Sequence, residues 1–591
     1  MNNETLDNLR HSCAHLLAAA VMKLWPNSKR AIGPSIEDGF YFDFEFETPI
    51  SEKDFPKIEK TMREILKSWD SFERHELSKA DAKKEYPDNP YKHELIDEFS
   101  GKGEKLSFYK SGDYWDLCRG GHIDNPKKEL QHFKLLSVAG AYWRGSEKNQ
   151  MLTRIYGTCF PTKEELDKYL LMLAEAKKRD HKKLGKELGL FTFSELVGPG
   201  LPLFLPKGEV IFHELEKFVR EEKEKLGYKF VHIPHVAKAE LYKKSGHLGK
   251  YDAMMPIMTD NEGDEYVMKP MNCPHHFEIY NAEPHSYRNL PYRIAETTTV
   301  YRNEKSGELS GLVRVKSCTQ DDTHHIVRHD QIESEIDLIL GLMDRVYSLF
   351  GFKEFSVQIS VRDPQHPEKY FGDEKLWKKS EKILIDAVKK WGRPYVVEEG
   401  EAAFYGPKID VMVKDSIGRG WQLTTVQLDF NQPENFHMRY TGEDGKEQSP
   451  AVLHVTVLGS VERFMGVLIE HFAGAFPVWL SPVQAKILPI SEKQNQYAQT
   501  VLEELKANGV RVELDDRNES IGKKIREAEM QKVPYMLIVG EKEVDAKSVA
   551  VRARNQPARR SLGEGGKDLG TMKLDKFITK ILEEIKTRAQ S

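Results

Sequence analysis

The run Tyr301-Arg302-Asn303-Glu304-Lys305-Ser306-Gly307-Glu308-Leu309-Ser310-Gly311-Leu312-Val313-Arg314-Val315 reads as a strand end, a Gly/Ser-punctuated loop and a returning strand at 313–315. Arg302, Glu304 and Arg314 are available on it. Further along, Gly459-Ser460-Val461-Glu462-Arg463-Phe464 leads from a strand into an apolar helix, where Arg463 stands nearly alone among hydrophobes. A buried arginine needs an anionic partner. Arginines directed at one site suit a triphosphate, because the guanidinium fork matches phosphate oxygens; either one alone reads equally well as a structural Arg–carboxylate pair. No Walker sequence and no Rossmann glycine fingerprint is present, so ATP, if bound, is bound without a P-loop.

Between and after these stretches lie Cys273 in Met271-Asn272-Cys273-Pro274, His324 after Gln320-Asp321-Asp322-Thr323, and His454 in Val452-Leu453-His454. A Cys/His/His trio without a fourth protein ligand has the composition of a zinc site with one open position. A second cluster sits near the N-terminus. His11 and His15 share a helix face in His11-Ser12-Cys13-Ala14-His15, and Cys118-Arg119-Gly120-Gly121-His122 is a glycine-rich turn. By spacing alone these four residues resemble a four-ligand zinc site.

The chain has 591 residues and a net charge of −5, too long for one core, with the composition of a soluble globular protein. No apolar run spans a bilayer, and the acidic start Met1-Asn2-Asn3-Glu4 is not a signal peptide. Five cysteines, an odd and sparse set, predict a reducing, cytoplasmic setting. Local basic surface is available at 177–183 and beyond Pro482, where Lys and Arg modestly outnumber Asp and Glu.

Helical spacing covers 8–25, 209–226, 332–350 and 459–474, and Phe40 to Phe46 alternates as a strand. Residues 161–190 read as one long charged connector helix. After Pro482, strands at 484–489, 511–514, 535–539 and 548–553 alternate with helices near 492–507, 519–531 and 574–589; 554–567 reads as a basic loop.

Several of these words together resemble the class II aminoacyl-tRNA synthetases. Gly227 to Pro234 is similar to their first motif, with Pro234 at the dimer-interface position; Arg302-Asn303-Glu304 is similar to the second, and Glu462-Arg463 to the third. Lys269-Pro270-Met271-Asn272-Cys273-Pro274, Thr319-Gln320-Asp321-Asp322, Phe404-Tyr405-Gly406-Pro407-Lys408-Ile409-Asp410 and Val426-Gln427-Leu428-Asp429-Phe430 narrow the resemblance to the threonyl-tRNA synthetase family, from about residue 8 to the end. The chain departs from the family's usual Gly-Phe at Ser317-Cys318 and carries His275 where the family mostly has glycine.

The resemblance implies an α+β multidomain chain: an editing domain over 1–160, a linker helix over 161–195, a class II catalytic antiparallel sheet flanked by helices over 196–481, and an α/β anticodon-binding domain over 482–591. The family's N-terminal ubiquitin-like domain is absent by this reading. One zinc per subunit would sit on Cys273, His324 and His454. Arg302 would meet the α-phosphate of ATP, Glu304 the adenine and Arg463 the γ-phosphate, with Mg²⁺ accompanying the nucleotide. Lys408, Gln320, Asp322, Tyr405, Gln422, Gln427 and Ser460 would surround L-threonine and its adenylate. His11, His15, Cys118 and His122, with Lys92 and Asp116, would hydrolyse mischarged Ser-tRNA(Thr), generally without a required metal. Glu543 and Arg552 would read anticodon bases of tRNA(Thr). The implied protein is a cytoplasmic homodimeric threonine–tRNA ligase with no membrane association; the alternative is a tRNA-binding regulatory paralogue without aminoacylation.

Overall fold

The computed structural model describes residues 3–415, 418–554 and 567–590. The chain divides into two compact units, Met1–Ala174 and Glu175–Ser591.

In the first unit the helix Asn3–Leu24 buries Leu9, Cys13, Leu16, Leu17, Ala20 and Val21. These residues recur at helical spacing, so one stripe is apolar and packs on a sheet. That sheet orders strands 29–30, 39–45, 151–160 and 132–142, all antiparallel, with 35–36 paired to 39–45. Phe40, Phe42 and Phe44 point inward, as strand alternation demands. A second, three-stranded sheet joins 73–76, 107–111 and 114–117, and its last strand carries Asp116.

The connector is not one helix. It comprises Lys163–Arg179 and His181–Glu187, broken at Asp180 (φ −47°, ψ 120°). The Asp180 carboxylate accepts the Lys182 and Lys183 N–H groups at 2.7 and 3.2 Å, which caps a new helix in place of continuing the old one.

The second unit is built on an eight-stranded sheet in the order 229–230, 292–301, 317–327, 451–460, 420–429, 408–414, 355–361, 395–399. The interior pairs are antiparallel; 229–230 and 395–399 join their neighbours in parallel. Helices Pro206–Lys225, Ile332–Phe350 and Val461–His471 cover it through a continuous apolar core. The strand expected at 313–315 begins only at Ser317. Residues 313–315 remain in the loop, where Leu312 is buried, so the loop is anchored from inside. The helix expected from Gly459 begins at Val461, because the preceding strand runs through Ser460.

Towards the C-terminus a five-stranded sheet orders 512–514, 485–489, 535–539, 548–553 and 567–573, the first three parallel and the last two antiparallel. Helices Asn495–Ala507, Ile521–Met530 and Leu574–Thr587 flank it. The expected basic loop lies, apart from Arg554 and Lys567, outside the described residues. Among the described residues no helix is long and apolar enough to cross a membrane.

Candidate active site and a second Cys/His cluster

Strands 292–301, 317–327, 451–460, 420–429 and 408–414 lie side by side, so side chains on one face of the sheet converge. A cavity of about 330 Å³ opens on that face. Arg302, Glu304, Arg463, Lys408, Gln320, Asp322, Tyr405, Gln422, Gln427 and Ser460 all line it, together with Cys273 and His454. His324 lies fully buried beside His454.

The floor depends on a register shift. Gln320 pairs with Ser460, whereas Asp322 pairs with Thr456, so the 451–460 strand bulges between them. The N–H groups of Val457 and Leu458 lose strand partners there, and the buried Asp321 carboxylate accepts both, at 3.0 and 2.9 Å. Lys223, also buried, pairs with Asp321 at 3.0 Å and donates to Thr323 Oγ1 at 2.7 Å. Gly459 completes the bulge at φ +75°; a Cβ there would lie 2.5 Å from the Leu423 carbonyl oxygen. Ser460 is thereby placed to cap the next helix, its Oγ accepting the Arg463 N–H at 3.2 Å. Glu462 accepts the Thr319 N–H and is in turn bonded by Ser460 Oγ at 2.8 Å.

Arg302, Arg314 and Arg463 share this cavity. Arg314 pairs with Glu304 at 2.8 Å and Glu308 at 2.9 Å. Arg463 donates Nε to the Val313 carbonyl at 2.9 Å, and the Arg302 Nε is buried without a hydrogen-bond partner. Burial lowers the Arg463 pKa from its ordinary value, and its neighbours Arg302 and Arg314 push the same way. Crowded, partly unpaired guanidinium groups make the cavity a site for an anion with several oxygens. Lys408 is held by Asp410 at 2.6 Å, and the Tyr405 hydroxyl donates to Gln427. Cys318 packs with Val300 and Val315 on the cavity wall.

The ligating atoms of Cys273, His324 and His454 lie within 4.8 Å of one another. His324 Nε2 and His454 Nδ1 face each other at 3.0 Å. Their other nitrogens are engaged: His454 Nε2 with Asp429 at 3.1 Å, His324 Nδ1 with His276 Nδ1 at 2.7 Å. Outer partners of this kind fix ring orientation in metal sites. The donor set of one sulfur and two inward imidazole nitrogens fits zinc with a position left open. Asn272 donates to Asp322 at 2.9 Å, which ties the cysteine's neighbour to the cavity wall. Sequence reading missed His276, Asn272 and the cavity-lining Met271. Asp429 stood within a quoted word, two residues beyond Gln427, which pairs with His454, but nothing in the sequence marked it as that histidine's partner.

In the first unit His11, His15, Cys118 and His122 meet with ligating atoms within 4.8 Å. Cys118 Sγ lies 3.4 Å from both His11 Nε2 and His122 Nε2. His11 Nδ1 faces the Gly121 carbonyl at 3.2 Å and His122 Nδ1 faces Ser12 Oγ at 3.3 Å, while His15 Nδ1 is buried without a partner. Burial pushes the Cys118 thiol up to about 11. Burial, with His11 beside it, pushes His122 down to about 3. Both groups are therefore uncharged at neutral pH. Asp116 is fully enclosed: Lys92 approaches at 2.9 Å, Arg30 at 3.2 Å, Tyr86 Oη at 2.6 Å and Tyr114 Oη at 3.1 Å. Burial opposes its ionisation, but the Lys92 and Arg30 cations hold the carboxyl below the usual range.

Glu543 lies on the helix Glu541–Asp545 and Arg552 on the strand Ser548–Ala553. Glu543 accepts the Gly540 N–H at 3.0 Å and the Thr571 hydroxyl at 3.3 Å; Thr571 pairs with Ala550, two residues from Arg552. Arg552 reaches Glu529 at 3.4 Å, and its Nε is buried and unpartnered.

Three family models match the chain: the class II tRNA synthetase core domain (G, H, P, S and T) at residues 255–472, the anticodon binding domain at 484–584, and the threonyl and alanyl tRNA synthetase second additional domain at 106–156. A threonine–tRNA ligase of Rubrobacter xylanophilus is 50% identical over 587 residues, covering 99% of this chain and 90% of the relative. The threonine–tRNA ligase of Staphylococcus carnosus is 47% identical over 591 residues, covering 100% and 90%. Among solved structures, the RNA binding domain of threonyl-tRNA synthetase from Cryptosporidium parvum superposes with a TM-score of 0.64 at 37% identity, over 68% of this chain and 98% of that one. The chain belongs to the threonine–tRNA ligases, a family of class II aminoacyl-tRNA synthetases.

Proposed function

We propose that the chain activates L-threonine with ATP, transfers it to tRNA(Thr) and hydrolyses Ser-tRNA(Thr) at the second Cys/His cluster. The observation that carries this reading is the single cavity in which three arginines and two members of a Cys/His/His trio meet. Activation is attack of a carboxylate on the α-phosphate, so the residues act by positioning and by neutralising charge. Arg302 takes the α-phosphate, Arg463 the γ-phosphate and Glu304 the adenine, with Mg²⁺ bound to the nucleotide. Gln320, Asp322, Tyr405, Lys408, Gln422, Gln427 and Ser460 line the space for the amino acid and its adenylate.

A zinc ion on Cys273, His324 and His454 would offer its open position to an amino group and a neighbouring hydroxyl. Valine lacks that hydroxyl, and a site built around such a polar group rejects the isostere by about 10⁴-fold or more. Serine keeps both groups and differs by one methyl, a difference of only about 1–3 kcal/mol. That small margin gives the second cluster its purpose. There Lys92, held by Asp116, and the three neutral imidazoles orient water and move its proton on the seryl ester.

Residues 1–160 form the editing domain, 161–195 the linker, 196–481 the catalytic domain and 482–591 the anticodon-binding domain, with Glu543 and Arg552 reading bases. The protein works as a homodimer through the segment around Pro234, in a reducing cytoplasm that suits its five free cysteines. The alternative of a paralogue without ligase chemistry gains nothing from a cavity that retains Arg302, Glu304 and Arg463. Threonine-dependent ATP–pyrophosphate exchange on purified protein, with its zinc content measured, tests the reading. Absence of exchange at saturating ATP and threonine would sink it.

A further inference from the structure

The connector's second helix opens with His181, which is 3% exposed and bonded on both ring nitrogens. Nδ1 lies 2.7 Å from Glu470 Oε1, and the backbone N–H of the same residue reaches that oxygen at 3.1 Å. Nε2 accepts the N–H of Leu312 at 3.1 Å. A nitrogen that accepts carries no proton, so the proton resides on Nδ1 and is donated to the carboxylate. Glu470 and Arg463 sit seven residues apart, on one face of the helix Val461–His471. One end of that face takes the Val313 carbonyl through Arg463; the other takes the Leu312 N–H through His181. The peptide pair 312–313 is thus fastened to this helix at two points, one of them borrowed from the connector. The next residue, Arg314, lines the cavity and holds Glu304. Space is tight at the joint: a Cβ on Gly311, at φ +49°, would stand 2.1 Å from His181 Nε2.

We infer that His181 is a positioning residue for ATP: it fixes the 304–314 loop against the Arg463 helix and so sets where Arg314 and Glu304 meet the nucleotide. The inference rests on the nucleotide assignment above and extends it to a residue outside the cavity. Its influence is confined to the nucleotide end, because none of its partners touches Cys273, His324 or His454.

The test is pyrophosphate exchange on the full-length protein with His181→Phe, His181→Gln and Gly311→Ala. His181→Phe keeps a ring but loses both bonds, and is expected to raise KM for ATP about fivefold, the worth of one net hydrogen bond, while KM for threonine stays within about twofold. His181→Gln carries a donor and an acceptor and is expected to restore KM for ATP to within about twofold of the parent. Gly311→Ala disturbs the same joint from the loop side and is expected to raise the same constant. Circular dichroism and thermal unfolding of each full-length variant, measured in parallel, report that it is folded; should His181→Phe not fold, Gly311→Ala decides. A unchanged KM for ATP in the folded variants, an equal rise in both KM values, or a glutamine variant as impaired as phenylalanine would overturn the inference. Lack of exchange in the parent protein would instead overturn the assigned function.

Discussion

The chain holds two Cys/His clusters of nearly the same composition, and they differ in what closes them. Cys273, His324 and His454 are three, with outer nitrogens held by Asp429 and His276 and with Asp322 nearby. His11, His15, Cys118 and His122 are four, with outer nitrogens held only by a carbonyl and a hydroxyl, and one nitrogen left over. Beside the second cluster the Asp116 carboxylate is already neutralised by Lys92 and Arg30. Three donors with anionic support leave a cation stable and one face open to a substrate. Four donors complete a tetrahedral set and leave no open position for a substrate; the hydrolysis proposed for this cluster takes its chemistry from the side chains. Donor identity alone does not distinguish the two clusters; the surrounding charge and the donor count do.

The largest effect expected from this contrast is for Cys273→Ala. Threonine-dependent exchange should fall by about 100-fold or more and zinc content should drop together with it. Retention of full zinc with full exchange would show that the trio is not the metal centre. Next, Lys92→Met should slow Ser-tRNA(Thr) deacylation by about 100-fold while leaving exchange untouched. A parallel loss of exchange would break the separation of the two sites. Asp429→Asn should weaken zinc about tenfold in a chelator competition, whereas Ser12→Ala should leave metal content alone.

The smallest effect concerns pH. Burial lowers His11, His15 and His122, the last to about 3. Deacylation should therefore show no acid limb from histidine between about pH 6 and pH 8. The sign for stability follows: these groups bind protons in the unfolded chain near the ordinary value of 6.5 but not in the fold. Unfolding of the first unit should thus become easier as pH falls from 6.5 towards 3, which a denaturation series on the full protein would read. A histidine-dependent acid limb near neutrality would place a charged imidazole in the cluster.

Much of this arrangement was legible in the sequence because it rests on local pattern. The alternation Phe40-Phe42-Phe44 gave its strand, and the helical spacing of His11 and His15 put them on one face. The words around Cys273, Gln320 and Gln427 led to residues that share one cavity. What escaped depends on partners far away in the chain. The break at Asp180 turns on a carboxylate capping its own successors, and a run of helix-forming residues conceals it. The strand predicted at 313–315 was displaced because Leu312 and Val313 bond to His181 and Arg463 instead of to a neighbouring strand. Strand 567–573, polar and interrupted by Gly570, has no alternation to announce it and forms by pairing with 548–553. His276 gave no more signal than His275 beside it; only the fold turns one of them towards His324.

The pair Lys223 and Asp321 has a consequence for how this sequence can drift. Each buried charge is tolerable only while the other is present, since removing one partner strands the other at a cost of about 3–5 kcal/mol. Asp321 also carries two backbone N–H groups of the bulge, so a neutral replacement must still supply acceptors there. Single steps away from either residue are therefore closed, and variation at these positions, 98 apart in the chain, should appear among relatives as paired exchange or not at all.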